Sequence, residues 1–232
     1  MSFTDDSRLE NPVHAALSGA HARFSLVCGR ALRYPADVAP FLALPSEPSQ
    51  EDWRAATELV PHGTYAGIVH AGTYVPEMWK TLQEFEVVQM IGEQVNGVHE
   101  PAVIPLTAVD VPEMLELVRR TDPGPFLERT IELGDYVGIR REGQLVAMAG
   151  ERLHFAGWTE ISAVCTSPTY RGHGMATRLV KTLIAGIQHR SERAFLHVLT
   201  SNTSAIRLYE ELGFRVRRSL TISVLTPALI PS

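Results

Sequence analysis

The residues best suited to chemistry lie in one run of the chain. Strand-like Glu160-Ile161-Ser162-Ala163-Val164-Cys165-Thr166 leads through Ser167-Pro168-Thr169-Tyr170 into Arg171-Gly172-His173-Gly174-Met175-Ala176. A helical pattern follows at once, with Leu179, Val180, Leu183, Ile184 and Ile187 on one face. A loop of this kind can aim several backbone N–H groups at one point. The helix N-terminus behind it adds a partial positive charge. Gly172 and Gly174 let the backbone come close to a ligand, because no Cβ stands in the way. The ligand this suits is a pyrophosphate. Taken alone, Arg-Gly-x-Gly is also the form of an ordinary tight turn.

Downstream, Ala194-Phe195-Leu196-His197-Val198-Leu199 is an apolar run of strand length. Next come Thr200-Ser201-Asn202-Thr203-Ser204 and Ala205-Ile206-Arg207-Leu208-Tyr209-Glu210-Glu211-Leu212-Gly213-Phe214. Ser201 or Asn202 can cap this short helix, and Gly213 is placed to end it. Tyr209 offers a phenol, whose ordinary pKa of about 10 lets it supply a proton to a thiolate. A closing strand from Arg215 to Leu225 alternates through Val216, Leu220, Ile222 and Val224.

The elements that must position these residues can be read upstream. Val103 to Leu106 reads as a strand, and Asp110 is placed to cap a helix that begins at Val111-Pro112-Glu113. Phe126 to Leu133 reads as a second short helix. Tyr136 to Arg140 and Gln144 to Leu153 form a hairpin around Glu142-Gly143, and Thr159 to Thr166 is a further strand. The polar stretch Glu93 to Pro101, with its Asn96-Gly97 turn pair, divides the chain near residue 100. Before it lie an Asn11-capped helix to about His21, a strand at Phe24 to Cys28 and a proline-punctuated region. A strand at Gly67 to His70, a helix at Glu77 to Gln83 and a strand at Phe85 to Met90 complete that half. It reads as a scaffold that packs against the second half and shapes its pocket.

Composition narrows the class. The 232 residues are 45% hydrophobic and 20% charged, which fits a globular chain with a sizeable core. A net charge of -5 gives no general basic surface for nucleic acid. No apolar run is long enough to span a bilayer, and the polar, acidic start Met1 to Asp6 is unlike a secretory signal. Cys28 and Cys165 alone make no disulfide framework and no metal knuckle, so a reducing cytoplasm is the expected setting. The nine histidines form no HxxxH or HExxH pair, and no metal is expected.

Together, these motifs resemble the GNAT acetyltransferases. RGHGMA is similar to that family's acyl-CoA loop, Arg/Gln-x-x-Gly-x-Gly/Ala, and NTSAIRLYEELGF to its Asn-x-x-Ala-x-x-Leu-Tyr-x-x-x-Gly-Phe element. The resemblance covers about residues 102 to 226. AVCTSPTYRGHGMA is most similar to the FR47-like branch, which includes glycine N-acyltransferase-like proteins with an extra N-terminal module.

The resemblance implies an α/β (α+β) GNAT fold, with a mixed, mostly antiparallel central sheet flanked by helices. Residues 101–232 would form the acetyltransferase domain. Residues 1–100 would form a smaller α/β module, which could be a degenerate half of the same fold. It implies acetyl-CoA as co-substrate, with the backbone of Ala163, Val164, Cys165 and Thr166 along the pantetheine and the thioester. Arg171, Gly172, His173, Gly174, Met175 and Ala176, with Thr177, would hold the pyrophosphate. Asn202 would meet the pantetheine arm, and Tyr209 would protonate the departing thiolate.

A protonated amine cannot attack, so a base is needed as well. Glu160 shares a face with Val164 and is the candidate, with Glu151 and His154 as alternatives. His173 and His197 read as structural, and Cys165 lacks a His or Asp partner that would make it a nucleophile. Arg215, Arg217 and Arg218 read as a solvated face, or else as partners for an anion. The expected acceptor is a small-molecule primary amine, and a homodimer is possible by analogy. A protein or peptide amine, or a non-catalytic acyl-CoA sensor, are the other readings. A dinucleotide-binding Rossmann loop would need a third glycine and an acidic residue about 20 positions on.

Overall fold

The computed structural model describes residues 6–228; Met1 to Asp5, most of the acidic start, lie outside them. In chain order the first elements are α1 (Pro12–Leu17), β1 (Leu26–Cys28), β2 (Ala31–Arg33), β3 (Leu42–Ala43) and α2 (Gln50–Leu59). Next come β4 (Ala66–His70), β5 (Trp79–Gly92), β6 (Ile104–Leu106), α3 (Val111–Thr121), β7 (Tyr136–Arg141) and β8 (Gln144–Phe155). The chain continues with β9 (Trp158–Thr166), α4 (Met175–His189), β10 (Arg193–Leu199), α5 (Thr203–Glu211) and β11 (Arg215–Pro227).

Eight strands form one sheet in the order β4-β11-β5-β10-β9-β8-β7-β6. Every pairing in it is antiparallel except β9 with β10, which are joined by the crossover helix α4. A helix is what such a parallel connection requires. This is the mixed, mostly antiparallel sheet that the GNAT fold implies. The division near residue 100 falls in a connector, yet the sheet runs through both sides of it. β5, from before the connector, lies between β10 and β11, from after it. A small sheet, β1-β2-β3, packs beside α2 and is tied to β4 by a bridge between Phe41 and Gly67.

Each face of the large sheet has its own core. Leu179, Leu183 and Ile187 of α4 pack over Met90, Ile161 and Leu196. On the other face Leu9, Val13 and Leu17 of the N-terminal segment cover Ile91, Trp158 and Phe195. No helix among the described residues is long and apolar enough to cross a membrane.

Some elements differ from their sequence reading. Glu77 to Gln83 is not a helix: Trp79 to Gly92 is one long strand, because Trp79 to Gln83 pair with Val224 to Pro227 of β11. Phe126 to Leu133 contains only a short 3-10 turn at Thr130–Leu133, after Pro123-Gly124-Pro125. α1 stops at Leu17, capped by Asn11 as expected. Asp110 does not cap α3 with its side chain; it accepts from Thr107 N at 2.8 Å and from Arg140 Nη2 at 2.6 Å. The proline-punctuated region holds α2, whose Ser49 and Asp52 form a reciprocal capping box.

Candidate active site

The functional geometry begins where two strands part. β9 and β10 pair only from Trp158 to Glu160 and from Arg193 to Phe195; beyond that they splay. On the other side of β9, the register with β8 skips from Ser162↔Gly150 to Cys165↔Met148. Ala163 takes a positive φ of 53° at this bulge, a conformation rare for a residue with a Cβ. A bulge leaves ladder groups unpaired and re-aims the backbone, here beside the open V between the strands.

A cavity of about 760 Å³ occupies that opening. Ala163, Val164, Asn202 and Tyr209 lie on its wall, so the structure brings together residues that the sequence reading took from two separate motifs. The Tyr209 phenol is buried, and burial pushes it up to about 12, so it keeps its proton at neutral pH. Its hydroxyl has no hydrogen-bond partner among the described residues. Asn202 accepts from Ala205 N at 3.1 Å, which fixes it as the cap of α5. Cys165 is turned away into the core under α3, and burial raises its thiol, as suits a structural cysteine.

The loop ahead of α4 is exposed and shaped by its glycines. Gly172 and Gly174 have φ of 81° and 68°, and a Cβ at either would meet open space. Glycine is required here by the backbone conformation, and crowding has no part in it. Arg171 donates from Nε to Thr166 O at 3.3 Å, and His173 Nδ1 lies 3.0 Å from Arg171 O. Arg178 N bonds to Gly174 O, so α4 begins at Met175. The N–H groups of Met175, Ala176 and Thr177 are in the first turn, where a helix has no internal acceptor for them.

The carboxylate expected to act as base is elsewhere. Glu160 is fully buried; Arg152 donates to both its oxygens, at 2.8 and 2.7 Å, and His197 Nδ1 lies 2.7 Å from Oε1. Burial works to raise this carboxyl, but Arg152 and then His197 outweigh it and hold it down to about 2. Glu160 is absent from the cavity wall, whereas both its partners are on it. Glu151 is also buried, bound to Arg190 at 2.7 Å, and His154 sits beside it. Neither reaches the cavity. Arg215 pairs with Glu93, and Arg217 and Arg218 both pair with Glu10, so these arginines tie down neighbouring segments.

Two charged wall residues escaped the sequence reading. Asp122 ends α3 with a positive φ of 46°, and its carboxylate forms no ion pair among the described residues. Arg152 lies in mid-strand on β8. For Asp122 the local signal was the run Asp122-Pro123-Gly124-Pro125, an irregular segment where binding residues concentrate. For Arg152 there was no such signal. No group of three or more His, Cys, Asp or Glu among the described residues could hold a metal ion.

A parted sheet, a bulge at the parting, a glycine loop on a helix N-terminus and a phenol facing the gap define an acyltransferase architecture. The known relatives agree. Residues 136–222 match the FR47-like protein family model. A crystal structure from Novosphingobium aromaticivorans, assigned to the GNAT family of acetyltransferases, superposes with a TM-score of 0.88. The two share 34% identity over 95% of this chain and 99% of that one. A GCN5-related N-acetyltransferase from Kribbella flavida has the same fold, with a TM-score of 0.65 at 15% identity and coverage of 98% and 97%. An uncharacterized protein of Mycobacterium leprae is 32% identical over 213 residues, which are 81% of this chain and 56% of that protein. The chain thus spans little more than half the length of that curated relative. The chain belongs to the GNAT acetyltransferase family.

Proposed function

We propose that this protein transfers an acetyl group from acetyl-CoA to the primary amine of a small molecule by direct attack. The observation that carries this is the meeting, in one cavity, of the bulged backbone at Ala163 with Asn202 and Tyr209. The backbone at 172–177 would take the pyrophosphate, which fits its exposed, glycine-shaped turn and the helix N-terminus behind it. Val164 and Asn202 would flank the pantetheine, and the unpaired backbone of the bulge would polarise the thioester carbonyl.

The chemistry balances with two proton carriers. The neutral amine forms a C–N bond to the carbonyl carbon, the C–S bond breaks, and the nitrogen releases its second proton to water as the amide forms. Tyr209 gives its proton to the departing thiolate and regains one from the medium. The proton of the incoming ammonium goes to Asp122, the carboxylate on the wall without an ion pair. Glu160 acts from behind the wall, holding Arg152 and His197 in place. The volume suits a compact acceptor, and the N-terminal half walls it in with Phe41 and Tyr65.

Calorimetric titration with acetyl-CoA, beside a Gly174→Glu variant, tests the cofactor site. Saturable binding that the variant loses is expected, since the new carboxylate would face the phosphates. A thiol-release screen of amines then tests transfer, with Tyr209→Phe expected to lower kcat about 100-fold. Unbound acetyl-CoA would end this reading. Binding without turnover of any amine would leave a sensor.

A further inference from the structure

The cavity has a built anion anchor. Arg152 is the only guanidinium on its wall among the described residues, and the residue is 8% exposed. Its Nε and Nη2 are committed to Glu160, and its Cζ lies over the Phe41 ring, 5.0 Å from the ring centre. Nη1 has no hydrogen-bond partner among the described residues, which leaves N–H donors unmet on the wall of a cavity. Nη1 is not sealed from solvent, so an acceptor in the cavity can reach it.

The arginine cannot easily turn away. Glu160 is held by His197 at 2.7 Å, and His197 Nε2 lies 3.2 Å from Gln89 Nε2, so the ring is gripped from both sides. Gln89 in turn donates to Leu9 O at 3.0 Å and accepts from Arg217 at 3.0 Å. The chain of bonds thus runs from the N-terminal segment through β5 and β10 to Arg152 on β8. Arg152 and Glu160 cancel in charge, and among the described residues no second lysine or arginine lines the cavity. That balance suits a single negative charge better than a phosphate. Phe41, Leu82, Phe85 and Phe126 give the same space apolar walls.

We infer that the acceptor amine carries a carboxylate on an apolar body, and that Nη1 of Arg152 binds this carboxylate. This rests on the acyl-transfer reading above. Asp122 then meets the ammonium and Arg152 the carboxylate of one zwitterion, while Glu160 and His197 are positioning residues that act through Arg152.

The test separates the anchor from the transfer. The CoA-saturated protein is titrated with hydrocinnamate and with its neutral amide, and the carboxylate is expected to bind at least about tenfold more tightly. The double variant Arg152→Gln, Glu160→Gln removes both charges together, so no lone ion stays buried. With its fold checked by CoA titration, it is expected to lose that preference. In thiol release, the wild-type ratio of kcat/KM for phenylalanine over phenethylamine should fall towards one in the double variant. His197→Gln should shift the same ratio, with the loss in KM for phenylalanine. Equal binding of carboxylate and amide by the wild type overturns the anchor, as does retained preference in the double variant. Carboxylate preference with no turnover of either amine supports the anchor and overturns the transfer.

Discussion

At the scale of single residues, the buried pair of Glu160 with Arg152 makes a statement about pH. Glu160 is held at about 2, below its ordinary 4.5, so the folded chain binds that proton less readily than the unfolded one. The pair's contribution is therefore complete above about 4.5 and is lost as the pH falls through about 2. Glu160→Gln leaves Arg152 as an unpaired buried cation and is expected to cost about 3 to 5 kcal/mol at neutral pH. Urea midpoints for both proteins should differ most at neutral pH and converge in acid. An unchanged gap across that range would mean that the pair is not what the variant removes. Asp122→Asn has a different signature. Asparagine tolerates the left-handed backbone at that position, so stability should hold. Turnover at saturating amine should fall about 100-fold if Asp122 accepts the proton, and the loss should shrink as the pH is raised and more amine arrives neutral.

At the scale of elements, the loop and α4 show why the residues proposed for the cofactor could be picked out in the sequence and those proposed for the acceptor could not. Gly172, Gly174, Asn202 and Tyr209 belong to short runs in which neighbours in sequence are neighbours in space. Their spacing therefore carries their geometry. Gly174→Ala adds a Cβ in open space but at a φ of 68°, and should cost about 1 kcal/mol through backbone strain alone. Its acetyl-CoA affinity, read by calorimetry, should fall much less than that of Gly174→Glu, since only the latter brings charge. Arg152, Asp122 and Phe41 meet only after β8, α3 and the N-terminal segment have packed, so no local pattern marks their meeting, although Asp122 itself opens an irregular Pro-Gly-Pro run. Two of the misread elements share a reason. Met78, Trp79 and Leu82 have helical spacing, but pairing with β11 prevails over that local preference. α2 hid behind its prolines, although Ser49 to Asp52 spelled out a capping box.

At the scale of the whole molecule, the position of β5 settles what can be separated. The connector near residue 100 looks like a boundary, yet β5 makes ladders along both β10 and β11. A fragment of residues 101–232 would lack this central strand and leave two long edges unpaired. Such a fragment is expected to be aggregated or unfolded by circular dichroism and size exclusion, where the full chain is folded. A stable, soluble fragment would make the first hundred residues an accessory. The sequence could not reveal this placement, because strand order within a sheet depends on long-range pairing and each strand reads much alike.

The same insertion sets the order of events during synthesis. β5 is complete long before its neighbours leave the ribosome, and Trp79 finds its partner only in Pro227, near the end of the described chain. Until then β5, whose second half is largely apolar, must wait for the strands that will flank it. Closure of the sheet is thus a late step dominated by distant contacts, which makes for slow, cooperative folding. The unsatisfied strand is the segment most in need of a chaperone's shelter while the chain is growing.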